Sequence, residues 1–443
     1  MKRSLALALV VLLPASARSD ATPEKLSAYM DAAAKEEKFN GSVLVAKDGE
    51  ILLAGGYGLA NAEHGIPNTP ETKFRLGSIT KMFTATAILI LQERGELKVE
   101  DAIGTHLPDS PKAWEKVTIH HLLTHTSGIP SYTADPSYAK LMTKPETVDS
   151  MIARFKEKPL EFEPGSKYRY SNSGYFLLGA IIEKVSGESY EDFLKGAIFE
   201  PLGMEDTGYD RPATILPKRA SGYDLRGEGL VNAPYLDMNQ PFAEGALYST
   251  VKHLLKWDRA LEAGKPLSKE SMAAMFKPFK DNYAYGWAIG DYKGHEQVGH
   301  AGGINGFMTD LERYPEDGVC VAVLCNVVPS NPTKVARDLA AIVFGETVSL
   351  PGSRVVAKVD PKLYDEYVGE YELTPKFALT VTREGDRLMT QATGQGKVEV
   401  FPESETKFFL KVTDAQITFV KEDGKVPHLI LHQNGRDRKA ERK

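Results

Sequence analysis

Ser78 and Lys81 stand where an extended stretch, Phe74-Arg75-Leu76-Gly77, gives way to an apolar run from Met82 to Leu91. A spacing of three puts both side chains on one helix face. The serine N–H then lies at the positive end of that helix. A hydroxyl, an amine and an anion-favouring N–H at one point are the parts of a nucleophilic serine site. The same Ser-x-x-Lys spacing recurs at Ser137/Lys140, Ser249/Lys252 and Ser404/Lys407. Ser137 follows Asp135-Pro136 in an expected loop. Ser404 lies between short strand patterns, where a spacing of three does not align side chains. Ser249 precedes a helix running to about Leu261 and reads as an N-cap. An N-cap is the alternative reading of Ser78 too, but the longest apolar helix stands behind Ser78.

Two further segments carry chemistry. Tyr170-Ser171-Asn172 is the only Tyr-x-Asn in the chain. A phenol acts as a general base when nearby cations lower its pKa, and an asparagine amide orients both an ammonium and a substrate amide. His300-Ala301-Gly302-Gly303 is the only His-x-Gly. Its glycines let backbone approach a substrate closely, and the N–H of Gly303 is a candidate second oxyanion donor beside that of Ser78. His121 and His125 stand four apart in an expected helix, with His120 adjacent. That is a zinc-ligand spacing, but no glutamate lies between them and no third ligand is evident, so packing or hydrogen bonding beneath the site is the expectation.

The secondary structure around these residues follows from the patterning. Lys25 to Lys38 reads as an amphipathic helix. Ser42–Lys47 and Glu50–Ala54 flank Asp48-Gly49, a hairpin turn signal. The stretch from Ser78 to Ala263 is mostly helical, with a helix at Tyr175–Val185. Strand patterns return at Tyr285–Gly290, Gln297–His300, Phe307–Arg313 and Val319–Val327, followed by a helix at Pro332–Phe344. One antiparallel sheet built from both ends, with an all-helical subdomain inserted, is the expected architecture. Beyond Leu350-Pro351-Gly352-Ser353, seven short, turn-separated strand patterns between Tyr367 and His432 suggest a barrel or sandwich. The mixed-sign Arg436–Lys443 reads as a solvated tail. Cys320 and Cys325 lie five apart in one strand pattern, on opposite faces and unable to bridge.

Taken together, the three motifs resemble those of the serine β-lactamase and penicillin-binding-protein superfamily, which carries Ser-x-x-Lys, Tyr-x-Asn and Lys/His-x-Gly in this order. Leu122-Leu123-Thr124-His125-Thr126-Ser127-Gly128-Ile129-Pro130, Gly245-Ala246-Leu247-Tyr248-Ser249-Thr250 and Tyr285-Gly286-Trp287 look like further hallmarks. The similarity is closest to the class C-like branch of esterases, D-aminopeptidases and D-Ala-D-Ala carboxypeptidases. It implies an α+β β-lactamase/DD-peptidase-like fold, with an antiparallel sheet flanked by helices. It also implies that Ser249 belongs to a structural helix cap. The implied site has Ser78 as nucleophile, Lys81 and Tyr170 sharing the base role, and Asn172 positioning Lys81 and the acyl chain. His300 would contact Tyr170 or the substrate's polar end, Gly302 would line the substrate, and the N–H groups of Ser78 and Gly303 would hold the oxyanion. No metal or cofactor is implied. The segment opened by Tyr367-Val368-Gly369-Glu370-Tyr371 resembles a small lipocalin-like β-domain. The domains expected are a signal peptide at 1–17, a hydrolase domain at 22–348 and a β-domain at 358–443.

Composition fits that reading. The chain has 443 residues, 42% apolar and 26% charged, with a formal net charge of −6. That argues against nucleic acid as a partner and leaves a small molecule or peptide as the expected substrate. Lys2 and Arg3, an apolar run from Leu5 to Leu13 and Ala15-Ser16-Ala17 form a secretory signal pattern. They imply a periplasmic or secreted protein with no stable membrane anchor after signal removal. Histidine at position 300, where efficient β-lactamases carry lysine, favours esters or D-amino-acid peptides and amides over β-lactams, since histidine is only partly charged near neutrality. A true β-lactamase is the alternative from the same class. A penicillin-acylated sensor or a non-catalytic binding protein is the alternative from another.

Overall fold

The computed structural model describes residues 22–227, 229–353, 356–375, 377–410, 415–433 and 436–443. The signal-peptide segment lies outside the described residues. Helix α1 (Thr22–Glu36) leads into the hairpin of β1 (Gly41–Lys47) and β2 (Glu50–Tyr57). Asp48 and Gly49 both take positive φ at its turn, as a two-residue hairpin turn demands. Strands β3 (Ala288–Tyr292), β4 (His295–Ile304), β5 (Phe307–Tyr314) and β6 (Val319–Cys325) complete the sheet in the order β3-β4-β5-β6-β1-β2. Every pairing within it is antiparallel. The β1–β6 pairing joins the two ends of the domain.

Strand alternation builds two apolar layers. Leu44, Ala46, Cys320, Ala322 and Leu324 face the large core beneath the central helices. Val43, Val45, Val321, Val323 and Cys325 face α1 and the helix Pro332–Val343. The two cysteines are therefore buried free thiols on opposite faces. Between β2 and β3 the chain is mainly helical. Helix α2 (Thr80–Glu93) is buried all round from Thr80 to Leu91, as expected of a helix that is apolar on every side. The inserted region also carries short strands, Phe74–Arg75 and Gly208–Tyr209 flanking Leu247–Ser249, and a hairpin of Tyr223–Arg226 with Gly229–Asn232.

The C-terminal segment is a closed eight-stranded barrel, β7 (Gly369–Thr374) through β14 (Arg436–Arg442). Arg436–Arg442 is thus its closing strand and not a solvated tail. It pairs with Lys425–Gln433 on one side and with β7 on the other. The exposed charges of Asp437, Arg438, Lys439 and Glu441 hid it, since among its described side chains only Ala440 is buried. The barrel interior is filled by side chains, with Tyr367 stacked on Phe419 at 4.2 Å and Phe408 edge-on to Phe419 at 5.5 Å.

Candidate active site

Three elements converge on Ser78. The residue lies in a single 3₁₀ turn, Gly77–Ile79, that runs directly into α2. Neither the turn nor α2 uses a side-chain cap, so the Ser78 hydroxyl is free of the capping role its position suggested. Instead it accepts a hydrogen bond from Lys81 Nζ at 3.0 Å. Lys81 is fully buried. The rival pairs behave differently. Ser249 is buried in a short strand and bonds Thr207 Oγ1 at 2.6 Å, while Thr250 caps the helix Val251–Glu262 through His253 N–H. The cap expected at Ser249 is thus one residue further on. Lys252 is ion-paired to Glu71. Ser137 bonds Asp135, and Ser404 accepts from Lys407 N–H.

Two glycines bring β4 against this turn. Beyond Gly299, β4 has β5 on one side but no longer pairs with β3. A Cβ on Gly302 would lie 2.0 Å from Leu76 O and 2.3 Å from Thr309 Oγ1, and Thr309 Oγ1 donates to Leu76 O at 2.7 Å. Gly302 is buried, so its missing side chain makes room for Leu76 and not for an incoming molecule. Gly77 has φ of 54°, and a Cβ there would lie 2.8 Å from Gly303 N. The backbone of residues 302–303 is therefore pressed onto the turn that carries Ser78, with Gly303 exposed at the surface.

The Tyr170 ring sits with its centroid 4.9 Å from Lys81 Nζ. His125 packs beneath it, ring centroids 4.1 Å apart. His125 also fixes both neighbours of Tyr170. Its carbonyl accepts from Arg169 N–H at 2.9 Å and its Nδ1 from Ser171 N–H at 3.1 Å. The helix that was to align His121 with His125 ends at Leu123, and His125 lies past it with φ of 54°. His121 Nδ1 accepts from Thr118 N–H, and His120 Nδ1 meets Tyr285 OH at 2.7 Å. The three rings are engaged separately, in keeping with the packing role.

The helix expected at Tyr175–Val185 begins earlier, at Asn172, and runs to Ser186. Asn172 does not hold Lys81, contrary to expectation. Its Nδ2 donates to Thr133 Oγ1 at 3.1 Å and its N–H to Ser131 Oγ at 3.1 Å. Lys81 has no donor left for it. Besides Ser78, Nζ donates to Glu244 O at 2.9 Å and Glu244 Oε2 at 3.2 Å. Glu244 was not foreseen from the sequence. It lies on a single helical turn, Phe242–Gly245, just before Gly245-Ala246-Leu247, and is buried.

His300 is half-buried. Its Nδ1 meets the Ala301 carbonyl at 2.6 Å and so carries the proton, which makes Nε2 the acceptor for Tyr283 OH at 2.9 Å. Burial of the ring, then the Lys81 ammonium, push its pKa down to about 4. Its ring centroid lies 6.2 Å from that of Tyr170. Tyr283 is a second residue that the sequence did not flag. Among the described residues, no group of three or more His, Cys, Asp or Glu side chains could hold a metal ion.

The family model described as Beta-lactamase matches residues 26–345, and a domain of unknown function, DUF3471, matches residues 353–442. The chain is 34% identical over 450 residues to Penicillin-binding protein 4* of Bacillus subtilis (strain 168), covering 94% of this chain and 98% of that protein. A similar solved structure is the octameric penicillin-binding protein homologue from Pyrococcus abyssi, with a TM-score of 0.69 and 30% identity, covering 94% of this chain and 99% of that one. Another is the D-amino acid amidase from Ochrobactrum anthropi SV3, with a TM-score of 0.62 and 26% identity, covering 72% and 96%.

Proposed function

The chain belongs to the Beta-lactamase family, and from that premise we propose that it is a serine hydrolase working through an acyl-enzyme on Ser78. Esters, or amides and peptides of D-amino acids, are its preferred acyl donors. The observation that carries this reading is the 3.0 Å hydrogen bond from buried Lys81 to a Ser78 hydroxyl that caps nothing. Ser78 Oγ attacks the acyl carbon, and the carbonyl electron pair moves onto oxygen, toward the N–H groups of Ser78 and Gly303. Lys81 and Tyr170 manage the hydroxyl proton, which leaves with the alcohol or amine as the intermediate collapses. Water then attacks the acyl-enzyme and gives its proton to Tyr170, which passes it to Ser78 Oγ as the acyl–Oγ bond breaks and the acid is released. Asn172 Oδ1 is buried without a partner in the protein, so an N–H of the bound substrate would satisfy it.

Substrate choice turns on His300. Held neutral, it offers no fixed charge to a carboxylate, which favours neutral acyl donors. The similarity to a D-amino acid amidase supports the D-configured amides. The penicillin-binding relatives favour a second reading, in which a β-lactam acylates the same serine and is released fast, as in a β-lactamase, or slowly, as in a sensor. The N-terminal pattern of Lys2, Arg3, the apolar run and Ala15-Ser16-Ala17 supports export to the periplasm or medium. We take the hydrolase domain as 22–348 and the β-domain as 358–443. The test is a panel of p-nitrophenyl esters, D-amino-acid amides, D-Ala-D-Ala peptides and a chromogenic cephalosporin, with acylation and release followed separately. Turnover of esters or D-amides above the cephalosporin supports the order given. Fast cephalosporin turnover without ester or amide cleavage reverses it, and a permanent adduct with every donor makes the protein a sensor.

A further inference from the structure

We propose that Glu244 is the counter-ion that keeps Lys81 an ammonium in the working site, so that Lys81 is a fixed positive charge and Tyr170 the proton acceptor. The kinetic consequence rests on the Ser78 acyl-enzyme reading, whereas the geometry does not. Lys81 Nζ meets three oxygens, Ser78 Oγ at 3.0 Å, Glu244 O at 2.9 Å and Glu244 Oε2 at 3.2 Å. An ammonium has three N–H groups and satisfies all three. A neutral amine has two, and could serve both Glu244 oxygens only by accepting from the Ser78 O–H, which would leave the buried Glu244 carboxylate with no cation beside it. Both charges are buried, which is costly for either one alone and tolerable for the pair.

The fold holds Glu244 at that point from several sides. Tyr132 OH, lying 2.9 Å from Glu244 Oε1 and 2.7 Å from Gln240 O, shares its one proton between them. Thr84 Oγ1 on α2 donates to Ala243 O at 2.6 Å, and Leu247 N–H donates to Thr80 Oγ1 at 3.2 Å. Gly179 in the helix Asn172–Ser186 lets the Glu244 turn approach, since a Cβ there would lie 2.4 Å from Ala243 Cβ. The other titratable groups facing Lys81 are Tyr170, Tyr175 with its ring centroid 5.6 Å away, His125 and His300. Burial, then the Lys81 charge, lowers the pKa of both histidines, so Glu244 is the carboxylate that pairs with Lys81 among the described residues.

The chemical step then balances without a change at Lys81. The Ser78 proton passes to the Tyr170 phenolate as the Oγ–C bond forms and the carbonyl pair moves to oxygen. Tyr170 returns that proton to the leaving group as the scissile bond breaks. Of Lys81 and Tyr170, Glu244 bonds only Lys81. Taking its charge away therefore marks which limb of the pH profile belongs to Lys81.

The experiment is kcat/KM against pH for the full chain and for Glu244→Gln, using a neutral phenyl ester. We expect the alkaline limb to move down by about one pH unit or more, with the acid limb unmoved, and Glu244→Asp to restore most of the shift. Movement of the acid limb, or of neither limb, overturns the proposal; the first would make neutral Lys81 the base, and the second would make Glu244 merely structural. Nitrogen NMR of lysine-labelled wild-type protein reads the same question if Glu244→Gln does not fold. The Lys81 signal should remain that of an ammonium from pH 6 to 8, and a neutral amine in that range would refute the pairing. Because this signal needs no turnover, it stands even if the ester panel and fluorophosphonate labelling of Ser78 both fail, which would overturn only the hydrolase reading.

Discussion

Replacing Gly302 by alanine should disable the site without touching a side chain that does chemistry. The added Cβ would lie 2.0 Å from Leu76 O and 2.3 Å from Thr309 Oγ1, whereas real Cβ contacts stay above 3.0 Å. Neither obstacle is the far end of a flexible side chain: Leu76 O is backbone, and Thr309 Oγ1 is tied to it by a 2.7 Å hydrogen bond. Strand β4 and the turn at 76–78 must therefore separate by roughly 1 Å. A displacement of that size between reacting groups costs about 100-fold in rate, and loss of one oxyanion donor costs ~10²–10³. Overpacking adds about 1–3 kcal/mol of destabilisation. We expect kcat/KM on a p-nitrophenyl ester to fall at least about 100-fold, with the melting temperature a few degrees lower and Ser78 labelled by fluorophosphonate more slowly. Gly303→Ala is the comparison. Its Cβ would meet only Met308 Sδ, at 3.5 Å, and it keeps its N–H, so it should lose far less. A Gly302→Ala enzyme within threefold of wild type, or a Gly303→Ala enzyme equally damaged, would refute the claim that this close approach builds the site.

Other outcomes follow from the same geometry. His300→Lys should supply the missing permanent cation and raise cephalosporin turnover relative to the neutral ester by about tenfold, measured as a ratio of kcat/KM values. In the wild type, proton NMR of the His300 ring should show no titration above pH 5, because its pKa is pushed down to about 4. His125→Ala removes the ring under Tyr170 and the acceptor for Ser171 N–H, so about 2–4 kcal/mol of stability should be lost in chemical denaturation, together with most of kcat. Asp310 and Glu312 are buried on β5, Asp310 bonded to Thr333 and Glu312 to Arg337, and burial raises both carboxyl pKa values. The native state then holds more protons than the unfolded chain, whose carboxyls titrate near about 4. Stability from this pair is complete below that value and is lost as pH rises through the folded values. Thermal melts at pH 5 and pH 8 should show the wild type losing more stability on alkalinisation than an Asp310→Asn, Glu312→Gln variant.

How far the site was legible depended on whether a residue sat in a local pattern. Ser78, Lys81 and Tyr170 lie at or just before the starts of helices and His300 within a strand, all elements whose periodicity is plain, and the fold gathers all four. Glu244 lies on one helical turn after Pro241, with Phe242 at φ of 41°. A turn held by contacts to Thr84 and Gly179 leaves no periodic trace. Asn172 was assigned to Lys81 through the family resemblance, but the loop at 131–133 claims its amide. The closing barrel strand escaped because Asp437, Arg438, Lys439 and Glu441 are exposed, and one buried alanine makes no alternation. The sheet, by contrast, was readable from both chain ends, because β1 and β6 are buried on both faces and read as continuous apolar runs.

The proposed mechanism requires that Ser78 carry the acyl group. Incubating the protein with a fluorophosphonate or a slow ester, then mapping the adduct by peptide mass spectrometry, tests it directly. The modified peptide should contain Ser78, and Ser78→Ala should abolish both labelling and turnover while Ser249→Ala, in a buried strand, leaves labelling at Ser78. An adduct on Ser249 or any other residue, or turnover that survives Ser78→Ala, would contradict the account.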